Sequence, residues 1–440
     1  MKHKQNFHEV VKEKLNASIR HAARNKDSFV LNPGRDFTRN RKLPFEAVIN
    51  LLLGMGGNSL GKELLEHFCF STATPTTSAF VQQRKKLSPE VFRFIHTHFM
   101  SSFSNWKTFM GYRLVAVDGS TLQIATDKTD LNTHVSSTGP NGANFLHLNA
   151  LYDLVNKTYL DSITQVIHQK NEFKAITQMI DRSKIKQKVI LIADRGYESY
   201  NIFAHAQENG WKYLIRIKEP GPRNGIASKL RLPVEEEFSS EHIIRMTRKQ
   251  TKVIKSQPLL YRYLTKRSTF DYLPPGSQGF YELSFRIVSV QLETGKFQYF
   301  ITNLDPQLFS GEKIKALYKM RWGIETSFRD LKHTLALNSF HSIKAELCRQ
   351  EILARMIMYN FCEMITLRVI INKKDRKHTY QANFTMAIHI CKQLFKTLAD
   401  EHPPDVETLI AKHILPIRDG RTHPRNIRYR AFVSFNYRVA

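Results

Sequence analysis

Between Gly311 and Leu335 the residue types that handle phosphate and metal ions recur on one side of a helical period. At about 100° per residue, Tyr318, Arg321, Glu325 and Lys332 fall within roughly 60° of one another. Leu317, Ile324, Phe328, Leu331 and Leu335 form the adjacent apolar stripe. The pattern predicts one helix over 311–335 that packs its apolar stripe on a sheet and presents a carboxylate flanked by two cations and a phenol. Ion pairing within the helix would account for the cations equally well. Two further carboxylates shift the balance. Asp118 in VAVDGST and Asp194 in LIADRGY each close a short apolar run rich in β-branched residues, Arg113–Val117 and Val189–Ala193. An aspartate before glycine is by itself an ordinary turn residue, but side chains at the ends of central strands emerge at the sheet edge, where both aspartates and Glu325 could converge. Oxygen-only ligands of this kind suit Mg2+, which keeps several waters and takes phosphate oxygens as further ligands. Two such ions can stabilise the attacking and leaving oxygens of an in-line phosphoryl transfer.

The elements that must position these residues are legible in the surrounding periodicity. Leu148–Val155 and Thr158–His168 flank an Asn156-Lys157 turn and read as a hairpin. Helices are expected at about 172–182 and 199–208, followed by a strand over Trp211–Ile217. This succession is an α/β sheet of mixed strand direction. From 220 to 310 alternating runs such as Tyr281–Val290 and Gln298–Thr302, with Pro and Gly between, predict a β-rich insertion that interrupts the core. Its stretch 245–267 carries Arg248, Lys249, Lys252, Lys255, Arg262 and Lys266, enough to line a phosphate backbone. Helices dominate from 311 to about 413, and the tail Arg418–Arg438 is arginine-rich.

The N-terminal 105 residues read as helical, with Phe45–Met55, Leu60–Phe68 and Thr76–Leu87 the clearest segments. Thr74 and Pro75 supply a cap and a first-turn proline for the third. Gln82, Gln83, Arg84, Lys85 and Lys86 give it the polar reach of a recognition helix, an ordinary solvated basic face being the alternative. Arg35, Arg39, Arg41 and Lys42 favour DNA contact.

Tyr318-x2-Arg321-x3-Glu325-x6-Lys332 resembles, without a gap, the YREK signature of the IS4 family of bacterial insertion-sequence transposases. VDGST around Asp118 and DRGY from Asp194 to Tyr197 resemble that family's first and second aspartate motifs, in the same order and spacing. The resemblance spans roughly residues 40–420. It implies a DDE-type transposase with an RNase H-like mixed-sheet catalytic core, a β-strand insertion before the glutamate helix, and a helical DNA-binding N-terminus. It further implies that Asp118, Asp194 and Glu325 are catalytic metal ligands, while Tyr318, Arg321 and Lys332 hold phosphates of the transposon end. Some relatives trap a flipped base with a tryptophan from the β-region. The comparable strand here reads Phe297-Gln298-Tyr299-Phe300, leaving Tyr299 as the candidate and a core aromatic as the alternative.

Bulk composition agrees with a nucleic-acid enzyme. The 440 residues are 42% hydrophobic, enough for a sizeable core, and 66 Lys and Arg against 39 Asp and Glu leave a net charge of +27, which calls for a polyanionic partner. Leu353–Ile371 is the longest mainly apolar stretch, but Arg355, Glu363 and Arg368 within it argue for a buried helix over a membrane span. The start lacks a signal-peptide core, so a cytoplasmic setting is expected. Cys69, Cys348, Cys362 and Cys391, widely spaced, read as reduced core residues, and His96 and His98 as solvated or capping. The expected division is a helical DNA-binding domain (1–105), the core (106–219 and 311–345), the insertion (220–310), and a helical C-terminal region with a basic tail (346–440). The expected function is cut-and-paste transposition with Mg2+, two ions with Mn2+ able to substitute, on double-stranded transposon ends and target DNA, by a homodimer in the end complex. The same carboxylates would serve an RNase H-like nuclease without strand transfer. A catalytically silent DNA-binding regulator derived from a transposase is the rival from another class.

Overall fold

The computed structural model describes residues 6–39, 41–138, 141–221, 225–371, 379–397 and 401–417. Five helices come first: α1 (Phe7–Arg24), α2 (Phe45–Gly54), α3 (Leu60–His67), α4 (Thr77–Arg84) and α5 (Glu90–Ser101). Then follow β1 (Tyr112–Ile124), β2 (His134–Val135), β3 (Ala143–Asp153), β4 (Thr158–Val166), α6 (Glu172–Asp181), β5 (Lys188–Ala193), α7 (Tyr200–Glu208) and β6 (Lys212–Ile217). The inserted segment supplies β7 (Phe238–Thr247), α8 (Lys252–Ser256), β8 (Tyr261–Tyr263), β9 (Phe280–Gln291) and β10 (Phe297–Thr302). The chain continues through α9 (Gly311–Met320), α10 (Trp322–His333), α11 (Ala345–Thr366), β11 (Tyr380–Ala382), α12 (Phe384–Lys396), α13 (Val406–Lys412) and β12 (Ile414–Pro416).

The strands order as β2-β3-β1-β5-β6-β10-β9-β7-β8, with β4 also on β3. Within this sheet, β1, β5 and β6 run parallel, whereas β3 is antiparallel to both β1 and β4. The unit β4-β3-β1-β5-β6 is an RNase H-like arrangement. Alternation along β1 divides the interior between two faces. Leu114, Ala116, Leu122 and Ile124 join a core with Ile324, Leu331 and Phe361. Val115 and Val117 join a second core with Ile176, Met179, Ile202 and Phe203 of α6 and α7. Both faces being covered explains why β5 reads as an unbroken apolar run.

The inserted segment, which separates β6 from α9 in the chain, continues the core sheet in space. Its β10 pairs antiparallel with β6 and with β9, which pairs with β7, so the inserted strands extend the core sheet through its open edge. An edge strand ending at β6 would leave a row of unpaired backbone groups, and the insertion supplies their partners.

The N-terminal helices share a core with the C-terminal ones. Val11 and Leu15 of α1, Leu52 of α2 and Phe99 of α5 cluster with Ile357 and Phe361 of α11. This is the origin of the long apolar stretch: α11 is buried along most of its length, and no helix among the described residues is long and apolar enough to cross a membrane. Its charges are answered internally. Arg355 donates to the carbonyls of Leu52 and Gly56, at 3.3 and 2.8 Å.

Helix α4 departs from the reading of its sequence in two ways. Its cap is Thr76, whose hydroxyl accepts from the Ala79 N–H at 3.2 Å, rather than Thr74. More consequentially, Arg84 is fully buried and reaches α11, donating to Glu351 at 3.0 Å, Leu347 O at 2.8 Å and Gln350 Oε1 at 3.3 Å. A side chain counted toward DNA contact is a structural tie, leaving Gln82 and Lys85 as the exposed members of that set. Cys69 is exposed, unlike the other three cysteines. His96 is buried against the Tyr159 carbonyl at 3.1 Å, neither solvated nor capping. The tail Arg418–Arg438 lies outside the described residues.

Candidate active site at the carboxyl edge of the parallel strands

The two aspartates lie at the same end of neighbouring strands, each two residues past the last parallel pair of β1 and β5, and Asp194 acts on Asp118 as a neighbouring negative charge. The last pair is Ala116 with Ile192. Asp194 follows the end of β5 directly and caps a 3-10 turn at Arg195–Tyr197, its Oδ1 accepting from the Gly196 N–H at 2.8 Å. Asp118 does not end its strand as expected. β1 continues to Ile124 because β3 pairs with it from Val115 to Ile124, Asp118 facing Ala150 in that register. By the alternation of β1, Asp118 falls on the face of Leu114, Ala116 and Leu122, which α10 covers with Ile324 and Leu331, and its Oδ1 accepts from the Gly119 N–H at 2.8 Å.

The glutamate segment is not one helix but two. α9 ends at Met320 and α10 begins at Trp322, with Arg321 at the joint, where Arg321 N–H bonds to Tyr318 O at 3.0 Å and Ile324 N–H to Arg321 O at 3.1 Å. The polar stripe survives this break because each side retains helical spacing. Arg321 Nη2 donates to Glu325 Oε1 at 2.6 Å, four residues on. Lys332 Nζ reaches the Thr121 carbonyl of β1 at 3.1 Å, two strand positions beyond Gly119. Tyr318 packs its ring on Phe300 at 4.9 Å between centroids and under the Arg321 guanidinium at 5.5 Å. Its hydroxyl is buried with no hydrogen-bond partner among the described residues, as is Arg321 Nε.

Electrostatics tie these side chains together. Burial pushes the Asp118 carboxyl up to about 6; the Gly119 N–H and Arg321 oppose the rise, while Asp194 and Glu325 add to it as neighbouring negative charges. Burial also works against the charge of Arg321, but its bond to Glu325, with Tyr318 and Asp118 nearby, carries it upward. Lys332 is pushed down by burial, against the attraction of Asp118. The carboxylates thus crowd one region and Arg321 is their neutralising charge. Among the described residues no three His, Cys, Asp or Glu side chains close into a metal cage; Glu325 is turned onto Arg321, as expected of like charges that separate and pair with the available cation. The donors are nonetheless all carboxylate oxygens, the set that a hard divalent ion takes.

Two features were missed or misjudged from the sequence, Trp322 and part of the basic stretch, and for Tyr299 the core alternative holds. Trp322, beside Arg321, is an indole on the site helix that is 57% exposed; its sequence signal is an aromatic falling off the apolar stripe. Tyr299 is a core residue, 3% exposed and packed near Phe238, so it is not available to receive a flipped base. Within the basic stretch of the insertion, Arg248 donates to the carbonyls of Leu273 and Ser268, and Arg262 to the Tyr200 hydroxyl. Both hold loops in place, while Lys252, Lys255 and Lys266 are exposed.

An RNase H-like sheet that gathers acidic and basic side chains at the carboxyl edge of its parallel strands defines a phosphoryl-transfer class of protein acting on nucleic acid. The chain belongs to the transposase DDE domain family, whose model matches residues 109–361, more than half of its length. Membership makes it a DNA transposase whose phosphoryl transfer depends on divalent metal. Among solved structures it is similar to a piggyBac transposase synaptic complex with hairpin DNA, seen by cryo-EM. That match has 9% identity and a TM-score of 0.44, and covers 93% of this chain and 84% of the other. No curated protein matches the chain.

Proposed function

We propose that the protein is an insertion-sequence transposase of the IS4 family that works by cut and paste. It binds the terminal inverted repeats of its element, cleaves at the ends with water and joins the freed 3′-hydroxyl to target DNA, acting as a homodimer in the end complex within the cytoplasm. Asp118, Asp194 and Glu325 are the metal ligands, and the ions are Mg2+, two per site, with Mn2+ able to substitute. The observation that carries this reading is the guanidinium of Arg321, bonded at 2.6 Å to Glu325 and attracted to Asp118, in a place where carboxylates otherwise repel one another.

When bound, the ions supply charge stabilisation to the attacking and leaving oxygens. The remaining work falls to the chain itself. The Gly119 and Gly196 N–H groups each hold one oxygen of an aspartate, which fixes the direction of the other oxygen. Arg321 and Lys332 carry positive charge beside the carboxylates and hold phosphates of the cleaved strand, with the unpartnered Tyr318 hydroxyl as a further donor. Positioning and electrostatics are the main requirements of phosphoryl transfer. The exposed Lys252, Lys255 and Lys266 of the insertion, and the exposed Arg35, Arg39, Arg41 and Lys42 near the N-terminus, extend the contact to flanking duplex.

The test is Glu325→Gln on a DNA that carries the inverted repeats flanking the gene. Cleavage in Mg2+ is expected to be abolished and end binding retained or strengthened, because one negative charge near phosphate is gone. Metal-dependent nicking at the wild-type rate would rule Glu325 out as a ligand.

A further inference from the structure

Gly119 owes its lack of a side chain to what lies over it. A Cβ built there would sit 2.5 Å from His147 Nε2 and 2.7 Å from Glu172 Oε1. His147, on β3 and 2% exposed, faces Thr121 across the β1–β3 register, with Nδ1 3.3 Å from Thr121 Oγ1. Its Nε2 lies 2.8 Å from Glu172 Oε1, and Lys170 Nζ lies 3.0 Å from the same oxygen. Glu172 is the first residue of α6, and that helix start is itself held. Asn171 caps it by accepting from Lys174 N–H at 2.9 Å, while Gln165 on β4 accepts from the Asn171 N–H at 3.0 Å and donates to its carbonyl at 3.2 Å.

The fold does not require an ionisable pair at this point. A carboxylate beside a buried imidazole loses hydration, and an apolar pair of similar volume would join β3 to α6 at least as well. What distinguishes the place is its neighbour: the pair bears on the residue immediately after Asp118, the one whose N–H orients the Asp118 carboxylate. We propose that His147 and Glu172 are positioning residues for Asp118, pressing on the Asp118–Gly119 step so that the Gly119 N–H engages one carboxylate oxygen and the other is directed toward the ion. The inference rests on the reading of Asp118, Asp194 and Glu325 as metal ligands. Groups that orient a ligand from behind typically account for 10–100-fold in metal affinity, roughly what ligand orientation is worth.

The experiment measures Mn2+ binding to the full chain without DNA, from the paramagnetic resonance signal of free Mn2+, for wild type, Glu172→Gln and Asp118→Asn. Glu172→Gln preserves shape while removing the carboxylate charge that faces His147 and Lys170. It is expected to weaken Mn2+ binding about 10–100-fold, by a factor that is the same at low and high salt, with an unchanged melting temperature in chelator. Affinity within about twofold of wild type, while Asp118→Asn loses the ion, would overturn the positioning role. So would a loss that disappears at high salt, since a distant charge is screened and a contact is not. Wild-type affinity in Asp118→Asn would instead overturn the ligand assignment and the inference with it. If Glu172→Gln does not fold, His147→Gln is measured against the same outcomes.

Discussion

Replacing Asp118 with asparagine should abolish activity and yet make the metal-free protein more stable. The reason is the Asp118 carboxyl, raised from 3.8 to about 6, first by burial and then by Asp194 and Glu325. A folded-state value above the unfolded one means that ionisation opposes folding. The cost is absent below about 3.8, where the group is protonated in both states, and grows as pH rises through 6. At roughly 1.4 kcal/mol per unit it amounts to about 3 kcal/mol at pH 7.5 and about 1 kcal/mol at pH 4.5. Asparagine keeps an oxygen for the Gly119 N–H and carries no charge, so Asp118→Asn should recover most of that difference. For a chain of this length the gain corresponds to roughly 3 °C in melting midpoint. The assay is thermal or urea unfolding of both proteins in chelator at the two pH values, followed by addition of Mg2+, which should stabilise wild type and leave the variant unchanged. A variant no more stable than wild type at pH 7.5, or a gain as large at pH 4.5, would refute a carboxyl raised by burial and by the neighbouring carboxylates at this position.

Arg321→Ala and Lys332→Ala should each weaken end binding and lower the slope of log affinity against log salt by about one phosphate contact, visible in a salt series of binding curves; an unaltered slope with normal affinity would identify them as structural partners of Glu325 and Thr121. Arg84→Ala should cost roughly 3–5 kcal/mol of stability by leaving Glu351 buried without its partner, measured by denaturant unfolding. A loss of DNA affinity without a loss of stability would return Arg84 to the DNA-contacting face.

Local regularities carried much of this protein's design. The hairpin around Asn156-Lys157, the apolar runs before Asp118 and Asp194, and the helical spacing of Arg321 and Glu325 are short-range patterns, each expressed by residues within a few positions of one another, and such patterns survive into the fold because backbone geometry enforces them. The Arg321–Glu325 bond forms even though the predicted single helix breaks at Arg321, since four residues of helical spacing suffice. Partners distant in the chain were decided elsewhere. Nothing near Arg84 announces that it is buried against Glu351, 267 residues away, nor does the segment around Tyr299 reveal that β9 and β6 enclose β10 on both edges. His147 and Glu172 come to lie over Gly119 only because β3 pairs beside β1 and α6 starts at that end of the sheet. A charged or aromatic side chain has the same local signature whether it faces water, DNA or the interior. Which of these it meets depends on strand order and layer packing, and those are settled by burying both faces of the sheet at once.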